Sequence, residues 1–108
     1  MNDETLRRFK AVVEASPDDE LARFSLGNAY WGAGRYAEAR DELQKATALK
    51  PDWMAAAILL GKCHMELGEK EKAKEVLQKA LTLATCQKHT APREEIEGLL
   101  RECESHDG

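Results

Sequence analysis

The sequence predicts an all-α solenoid of stacked helical hairpins, and three observations support this prediction. When the chain is displaced by 34 residues, segment 20–53 aligns with segment 54–87 and ten positions are identical, most of them small or apolar. Within each copy, apolar residues recur at the spacing of one helix face in two successive runs. Glycine or proline separates these runs. A period of this length is typical of repeats that each contribute a pair of helices to a shared core.

We therefore expect a single domain over residues 1–108, with about six helices. Its segments are an opening helix, a first repeat, a second repeat and a C-terminal capping helix, at residues 3–16, 20–53, 54–87 and 91–104. A stack of this kind needs about three units to be stable, so the two flanking helices are expected to be structural.

The opening helix aligns with the second helix of a preceding unit. Its stretch TLRRFKAVVEASPD places Phe9 and Val12 on the face expected to pack. Pro17 stops this helix, and Asp18 is expected to cap the next one by accepting hydrogen bonds from backbone N–H groups of its first turn. Asp52 is expected to do the same one repeat later.

Each repeat is predicted to be two helices that approach closely at a glycine. Gly27 and Gly61 lie inside the first helices, where glycine costs about 1 kcal/mol relative to alanine. We expect this cost to be offset because the second helix can come close at Ala39 or Ala73. Two further glycines lie just past the first helices, where a left-handed residue ends a helix: Gly34 and Gly68.

The last helix has one apolar side and comes five residues later than the strict period would place it. Pro92 suits its first turn. Its apolar residues recur at i, i+3, i+4 and i+7: Ile96, Leu99, Leu100 and Cys103. Such a helix is expected to close the stack.

The two repeats resemble the tetratricopeptide repeat family in their signature residues. The first copy matches at Leu26, Gly27, Tyr30, Ala39, Leu43, Ala46 and Pro51, and the second at Leu60, Gly61, Ala73, Leu77 and Ala80. The second copy has His64 for the tyrosine and Thr85 for the proline, and the early tryptophan is replaced by Arg23 and Ala57. The resemblance implies a right-handed solenoid whose first helices line a concave side, and a module that binds other proteins.

The first helices carry a second stripe of side chains besides the one that faces their hairpin partners. On the concave side that the resemblance implies, this stripe is the predicted peptide-binding groove: Leu21, Phe24, Asn28, Trp31, Ile58, Lys62 and Met65. Its apolar members would hold a peptide or a helical segment of a partner, with Asn28 and Lys62 as polar handles. Two alternatives stay open: the apolar side chains could merely pack neighbouring helices together, or the capping helix could lie partly in the groove.

The chaperone carboxylate clamp of this family, an array of lysine, asparagine and arginine, is disfavoured. Asn28 falls on a clamp position, but Phe24 and Leu59 stand where a lysine and a second asparagine would be needed. We expect a ligand with apolar anchors, whose acidic flank Lys62 could steer.

Composition excludes several classes of partner. The net charge is −4, and charges of both signs are interspersed, whereas nucleic-acid binding needs a basic stripe. No apolar run reaches the length of a transmembrane helix, and the first ten residues lack a signal-peptide core. Three cysteines suit a reducing compartment. We expect a cytoplasmic protein that binds neither nucleic acid nor membrane.

The sequence indicates no catalytic residue, cofactor or metal ligand, so we expect a protein that is not an enzyme. A less favoured alternative is a zinc-binding C-terminal element made of two C-x-x-H pairs: Cys86 with His89, and Cys103 with His106. A continuous last helix would hold the two pairs about 18 Å apart, which argues against this site.

Self-assembly is the other alternative to a peptide-binding function. Phe9, Val12 and Val13 lie on an opening helix that has no hairpin partner in this sequence. Pairing of such terminal helices would produce a homodimer or a larger homo-oligomer.

Overall fold

Six helices and no strand make up the part of the chain that the computed structural model describes, residues 3–86 and 90–105. In chain order they are α1 (Asp3–Ala15), α2 (Glu20–Gly32), α3 (Tyr36–Leu49), α4 (Met54–Glu66), α5 (Lys70–Cys86) and α6 (Thr90–Ser105). Each helix packs chiefly against its neighbours along the chain, and the packing is most extensive between α2 and α3 and between α4 and α5. The predicted all-α solenoid is confirmed.

The two hairpins are α2 with α3 and α4 with α5, and a glycine turns the chain inside each. Gly34 has a φ of 76° and Gly68 a φ of 75°, in the left-handed region that glycine adopts without steric cost. The N–H of Gly34 donates to the carbonyl of Trp31 at 3.0 Å, and the N–H of Arg35 to the carbonyl of Tyr30 at 2.9 Å. These bonds satisfy carbonyls that the end of α2 leaves unpaired, as predicted for a glycine-terminated helix.

Inside each hairpin, the second helix closes on the glycine of the first through a leucine rather than through the predicted alanine. The side chain of Leu43 lies nearest to the place of a Cβ on Gly27, and that of Leu77 does so at Gly61. Ala39 contributes its backbone carbonyl, 3.4 Å from the same place on Gly27. The shift of one turn has a general cause, because a helical side chain leans toward the helix N-terminus and covers the turn before its own Cα.

The residue that caps α2 is Asp19, so the predicted cap at Asp18 is wrong by one position. Oδ1 of Asp19 accepts hydrogen bonds from two backbone N–H groups of the first turn, at 3.0 and 3.3 Å. At the start of α4 the corresponding position is Trp53, which makes no side-chain cap hydrogen bond. The predicted cap at Asp52 is therefore wrong as well, because in both turns the helix begins one residue later than expected.

The opening helix α1 packs on α2 through Leu6 and Val13, which are both buried. Phe9 packs partly against the same core, but Val12 is 51% exposed, so its predicted place on the packing face is wrong. By the 34-residue period Val12 corresponds to Ala46, which is fully buried inside its hairpin. In the described residues, no helix takes the place beside α1 that α2 takes beside α3.

The capping helix α6 closes the other end of the stack against α5. Its predicted apolar side is the side that packs: Ile96, Leu100 and Cys103 are buried and Leu99 partly so. They extend the second of two core clusters, which joins α4, α5 and α6. The first cluster joins α1, α2 and α3 to α4. Because α4 contributes to both, it couples the two hairpins into one stack.

Arg23, which replaces the early tryptophan of the family signature, joins α2 to α3 by polar contacts. Its Nη1 lies 2.9 Å from Oε1 of Glu42, with side chains 15% and 13% exposed. Its Nε donates to the carbonyl of Pro17 at 2.9 Å. The charged side chain of Arg23 can occupy this largely buried position because its Nε and Nη1 groups are both hydrogen-bonded.

Candidate peptide-binding site

Two recesses border the first helices α2 and α4. We call the surface where α2, α4 and α6 lie side by side the first-helix face. The larger recess, the α4–α6 cavity, has a volume of about 550 Å³ and is lined by Asp52, Trp53, Met54, Ala55, Ile58, Leu59, Lys62, Pro92 and Glu95. The smaller one, the α1–α2 cavity, has a volume of about 300 Å³ and is lined by Phe9, Leu21, Phe24, Ser25, Asn28 and Ala29. Both are lined mainly by apolar side chains, as ligand sites usually are.

An aromatic pair connects the two cavities. Phe24 lines the α1–α2 cavity and Trp53 the α4–α6 cavity, and their ring centroids lie 4.6 Å apart with the planes tilted by 33°. Tilted rings at this distance attract one another beyond the area that they bury. This contact holds the start of α4 against the middle of α2. Trp53 was not among the predicted groove residues, and it takes the position that Asp19 has in the first repeat.

Five of the seven predicted groove residues line one of these cavities: Leu21, Phe24 and Asn28 the smaller, and Ile58 and Lys62 the larger. Leu21 is 60% exposed, so it is available to a partner. Ile58 is only 8% exposed and belongs to the core cluster of α4, α5 and α6. The open alternative of packing between helices therefore accounts for most of the surface of Ile58, but not for that of Leu21.

The other two predicted groove residues lie outside both cavities. Trp31 is half-buried, and its ring centroid lies 5.0 Å from that of Tyr36 at the start of α3. Met65 is half-buried against the core cluster of α4, α5 and α6. It borders a separate recess of about 300 Å³ whose lining also includes Glu66, Lys70, Glu102 and Cys103. Neither Trp31 nor Met65 therefore belongs to the lining of the two cavities.

The capping helix forms one wall of the larger cavity and engages its lysine. Nζ of Lys62 lies 3.0 Å from Oε2 of Glu95, with side chains 33% and 47% exposed. An ion pair this exposed contributes at most about 1 kcal/mol. Asp52 is exposed at the same cavity, and no described residue pairs with its carboxylate. Lys62, which was predicted to attract an acidic flank of a ligand, is therefore already paired with the carboxylate of Glu95.

The zinc alternative is only partly covered by the structure. Cys86 is exposed at the end of α5, whereas Cys103 is 2% exposed in the core. His89 and His106 lie outside the described residues. Within residues 3–86 and 90–105, no three His, Cys, Asp or Glu side chains are grouped so as to hold a metal ion.

None of the described helices has the length and apolar character needed to cross a membrane.

Two family models match this chain, each over more than half of its 108 residues. One, described as tetratricopeptide repeat, matches residues 1–57. The other, described as regulator of microtubule dynamics protein 1-3, matches residues 33–104. The chain belongs to both families. None of the curated proteins compared with this tetratricopeptide-repeat chain matches it significantly.

Several solved structures share the fold of this chain. Protein BPP2914 from Bordetella parapertussis is 25% identical, with a TM-score of 0.80 over 99% of this chain and 92% of that chain. PcrH of Pseudomonas aeruginosa, solved with the chaperone binding region of PopD, is 20% identical, with a TM-score of 0.89 over 98% and 80%. The TPR2B domain of yeast Sti1, solved as a pHsp70 complex, is 19% identical, with a TM-score of 0.85 over 94% and 81%.

Proposed function

We propose that this tetratricopeptide-repeat chain is a protein-interaction module that binds a peptide or helical segment of a partner on its first-helix face and catalyses no reaction. The observation that carries the proposal is the pair of adjoining apolar cavities, joined by the packed rings of Phe24 and Trp53. A groove of this kind takes alternate or helically spaced anchor residues of a ligand. This is the face that the family resemblance makes concave.

Similar structures solved with bound protein segments support a binding role. PcrH was solved with a region of PopD, and the first TPR of RPAP3 with the HSP90 peptide SRMEEVD. For this chain we propose a different ligand from the latter, because the clamp positions carry Phe24 and Leu59. We also retain a cytoplasmic location, which the free thiols of Cys63, Cys86 and Cys103 support.

A random peptide library displayed on phage tests the proposal. Peptides selected on the wild type should lose affinity by at least about tenfold on Ala55→Trp, which places an uncharged bulky side chain in the α4–α6 cavity. Ala55 is exposed, so the fold should be kept, and an unchanged melting temperature would verify this. The matched control is Ala37→Trp, at an exposed alanine on α3 that lines neither cavity.

Binding that Ala55→Trp leaves intact, or amide chemical shifts that place the peptides on α3 and α5, would contradict the proposal.

The predicted groove members Trp31 and Met65 are tested in the same assay. Because they pack against Tyr36 and against the core cluster, we expect Trp31→Ala and Met65→Ala to lower stability more than peptide affinity.

Membership of the family described as regulator of microtubule dynamics protein 1-3 favours a second, narrower function. We propose that the partner segment belongs to the machinery that controls microtubule growth. Purified tubulin polymerising with and without the chain, followed by turbidity, tests a direct effect. Co-sedimentation with preformed microtubules tests binding, and a chain that stays in the supernatant without changing polymerisation would exclude direct action.

Self-association through α1 remains the alternative function. Of the three residues that suggested it, Val13 is buried against α2 and Phe9 is partly buried, which leaves Val12 exposed. Sedimentation velocity over a wide range of concentrations should show a monomer. A concentration-dependent dimer that Val12→Glu abolishes would favour self-assembly instead.

A further inference from the structure

We propose that the α4–α6 cavity receives a basic side chain, an arginine or lysine of the partner segment. This inference rests on the proposed peptide-binding function and specifies the chemistry of one of its anchors. It reverses the expectation that Lys62 steers an acidic flank. Three features of the cavity support it: its apolar walls, its indole ring and the sign of its charge.

The walls fit the stem of a long basic side chain. Met54, Ile58 and Leu59 line the cavity from α4, and Pro92 lines it from α6. Lysine and arginine bury their methylene stems along apolar surface while the charged group reaches a polar rim. At about 550 Å³ the recess is larger than such a side chain requires, so it can also admit a neighbouring residue of the segment.

The indole of Trp53 supplies a surface that binds cations. It lines the cavity and is half-buried, with the ring of Phe24 packed at 4.6 Å. Tryptophan is the best of the aromatic side chains for attracting an ammonium or guanidinium group over its face. Packing on Phe24 fixes the ring in place, so little ordering is needed when a ligand arrives.

The charges at the cavity complete the argument. Asp52 and Glu95 are acidic, and Lys62 is the one cation that lines the cavity in the described chain. Since Lys62 is paired with Glu95 at 3.0 Å, the carboxylate of Asp52 gives the described lining residues a net negative charge. A basic residue of a partner would be attracted to Asp52 and to the second oxygen of Glu95. An acidic residue would meet two carboxylates and a lysine that is already engaged.

Three small probes test this inference on the whole chain by amide and indole chemical shifts. They are N-acetyl-arginine amide, the uncharged N-acetyl-norleucine amide and the acidic N-acetyl-glutamate amide. The arginine probe should shift the indole N–H of Trp53 and bind at least about tenfold more tightly than the norleucine probe. The glutamate probe should not bind at this cavity. Added salt should weaken the arginine probe, since the carboxylates are partly exposed.

Charge-neutralising variants identify the groups responsible. Asp52→Asn should weaken the arginine probe by about threefold, and Glu95→Gln should weaken it further because Lys62 then lacks its partner. The matched controls are Asp18→Asn, one repeat earlier in the same turn position, and Glu104→Gln, exposed on α6. Both controls should bind the arginine probe like the wild type.

Two outcomes would overturn the inference, and they differ in what they mean for the proposed function. Equal binding of the norleucine and arginine probes at Trp53 would show an apolar anchor site, which leaves the peptide-binding proposal standing. No saturable shift with the arginine probe would also overturn the basic-anchor inference, but it would leave the peptide-binding proposal to be decided by the library selection. The library selection with Ala55→Trp decides the peptide-binding proposal independently of either result.

Discussion

A Cβ placed on Gly27 of α2 would lie 2.8 Å from Cγ of Leu43 on α3, and 3.1 Å from its Cδ2. The second hairpin repeats this relationship, because a Cβ on Gly61 would lie 2.7 Å from Cδ2 of Leu77 and 2.8 Å from its Cγ. Both leucines are completely buried, so they have no open space into which they could move. The separation of the two helices in each hairpin therefore depends on a glycine facing a leucine.

We predict that Gly27→Ala and Gly61→Ala each destabilise the chain, although alanine favours a helix by about 1 kcal/mol. Overpacking against the buried leucine costs about 1 to 3 kcal/mol, so a net loss of about 1 kcal/mol is expected. Urea denaturation measures it. Gly98→Ala is the control, since the nearest atom to its Cβ would be Nη2 of Arg101 at 3.8 Å, and it should raise stability. A Gly27→Ala chain that is more stable than the wild type would contradict the contact.

The hairpins could be predicted from the sequence because their signals are local and occur twice. Gly34 and Gly68 end their helices with positive φ in both repeats, as their spacing indicates. The errors are those of a single position or a single turn. Asp19 rather than Asp18 caps α2, and Leu43 rather than Ala39 covers the glycine. A pattern of residue types does not specify which of two adjacent aspartates is the N-cap residue of the helix. It also does not specify how far a side chain leans along its helix.

The candidate site could be predicted only in part, for a different reason. The stripe containing Leu21, Phe24 and Asn28 follows from helix periodicity alone. Trp53 could not be assigned, because its contact with Phe24 depends on how the second unit is placed against the first. The ion pair of Lys62 was missed because α6 begins at Thr90, 36 residues after the start of α4 at Met54 rather than 34, so the repeat gives no register between α4 and α6.

The cap of α2 gives the second prediction. Asp19→Ala should lower the free energy of unfolding by about 1 kcal/mol, because two backbone N–H groups of the first turn lose their acceptor. Asp18→Ala, at the exposed neighbouring position, should change it by less than about 0.5 kcal/mol. Thermal unfolding of the two variants under identical conditions measures the difference. Equal losses would mean that the two carboxylates share the cap.

The third prediction concerns pH and the polar contact between the two repeats. Nδ1 of His64 lies 2.8 Å from Oε1 of Glu69, and Nη1 of Arg40 lies 3.0 Å from Oε2 of the same Glu69 carboxylate. Hydrogen bonding to His64, followed by that to Arg40, lowers the pKa of Glu69 below its ordinary value of 4.5. A carboxyl whose pKa is lowered by folding stabilises the folded state fully above its ordinary pKa. That stabilisation is lost as the pH falls through the folded-state pKa.

The stability difference between wild type and Glu69→Gln should therefore narrow as the pH falls below 4.5. Urea midpoints measured at a series of pH values on both sides of this point give the difference directly. Glu104→Gln, at an exposed position on α6, serves as the control and should show a constant difference. A difference for Glu69→Gln that is the same at every pH would show that the ionised carboxylate does not contribute to folding through these contacts.

The fourth prediction is that the three thiols react at very different rates. Burial raises the pKa of Cys63 to about 12, which leaves almost none of the nucleophilic thiolate near neutral pH. Cys103 is buried in the core cluster of α4, α5 and α6, whereas Cys86 is exposed. Ellman's reagent should thus modify a single thiol of the native chain quickly and the others only after denaturant is added. Cys86→Ser should abolish the fast reaction, and a fast phase that survives this change would mean that one of the buried cysteines is accessible.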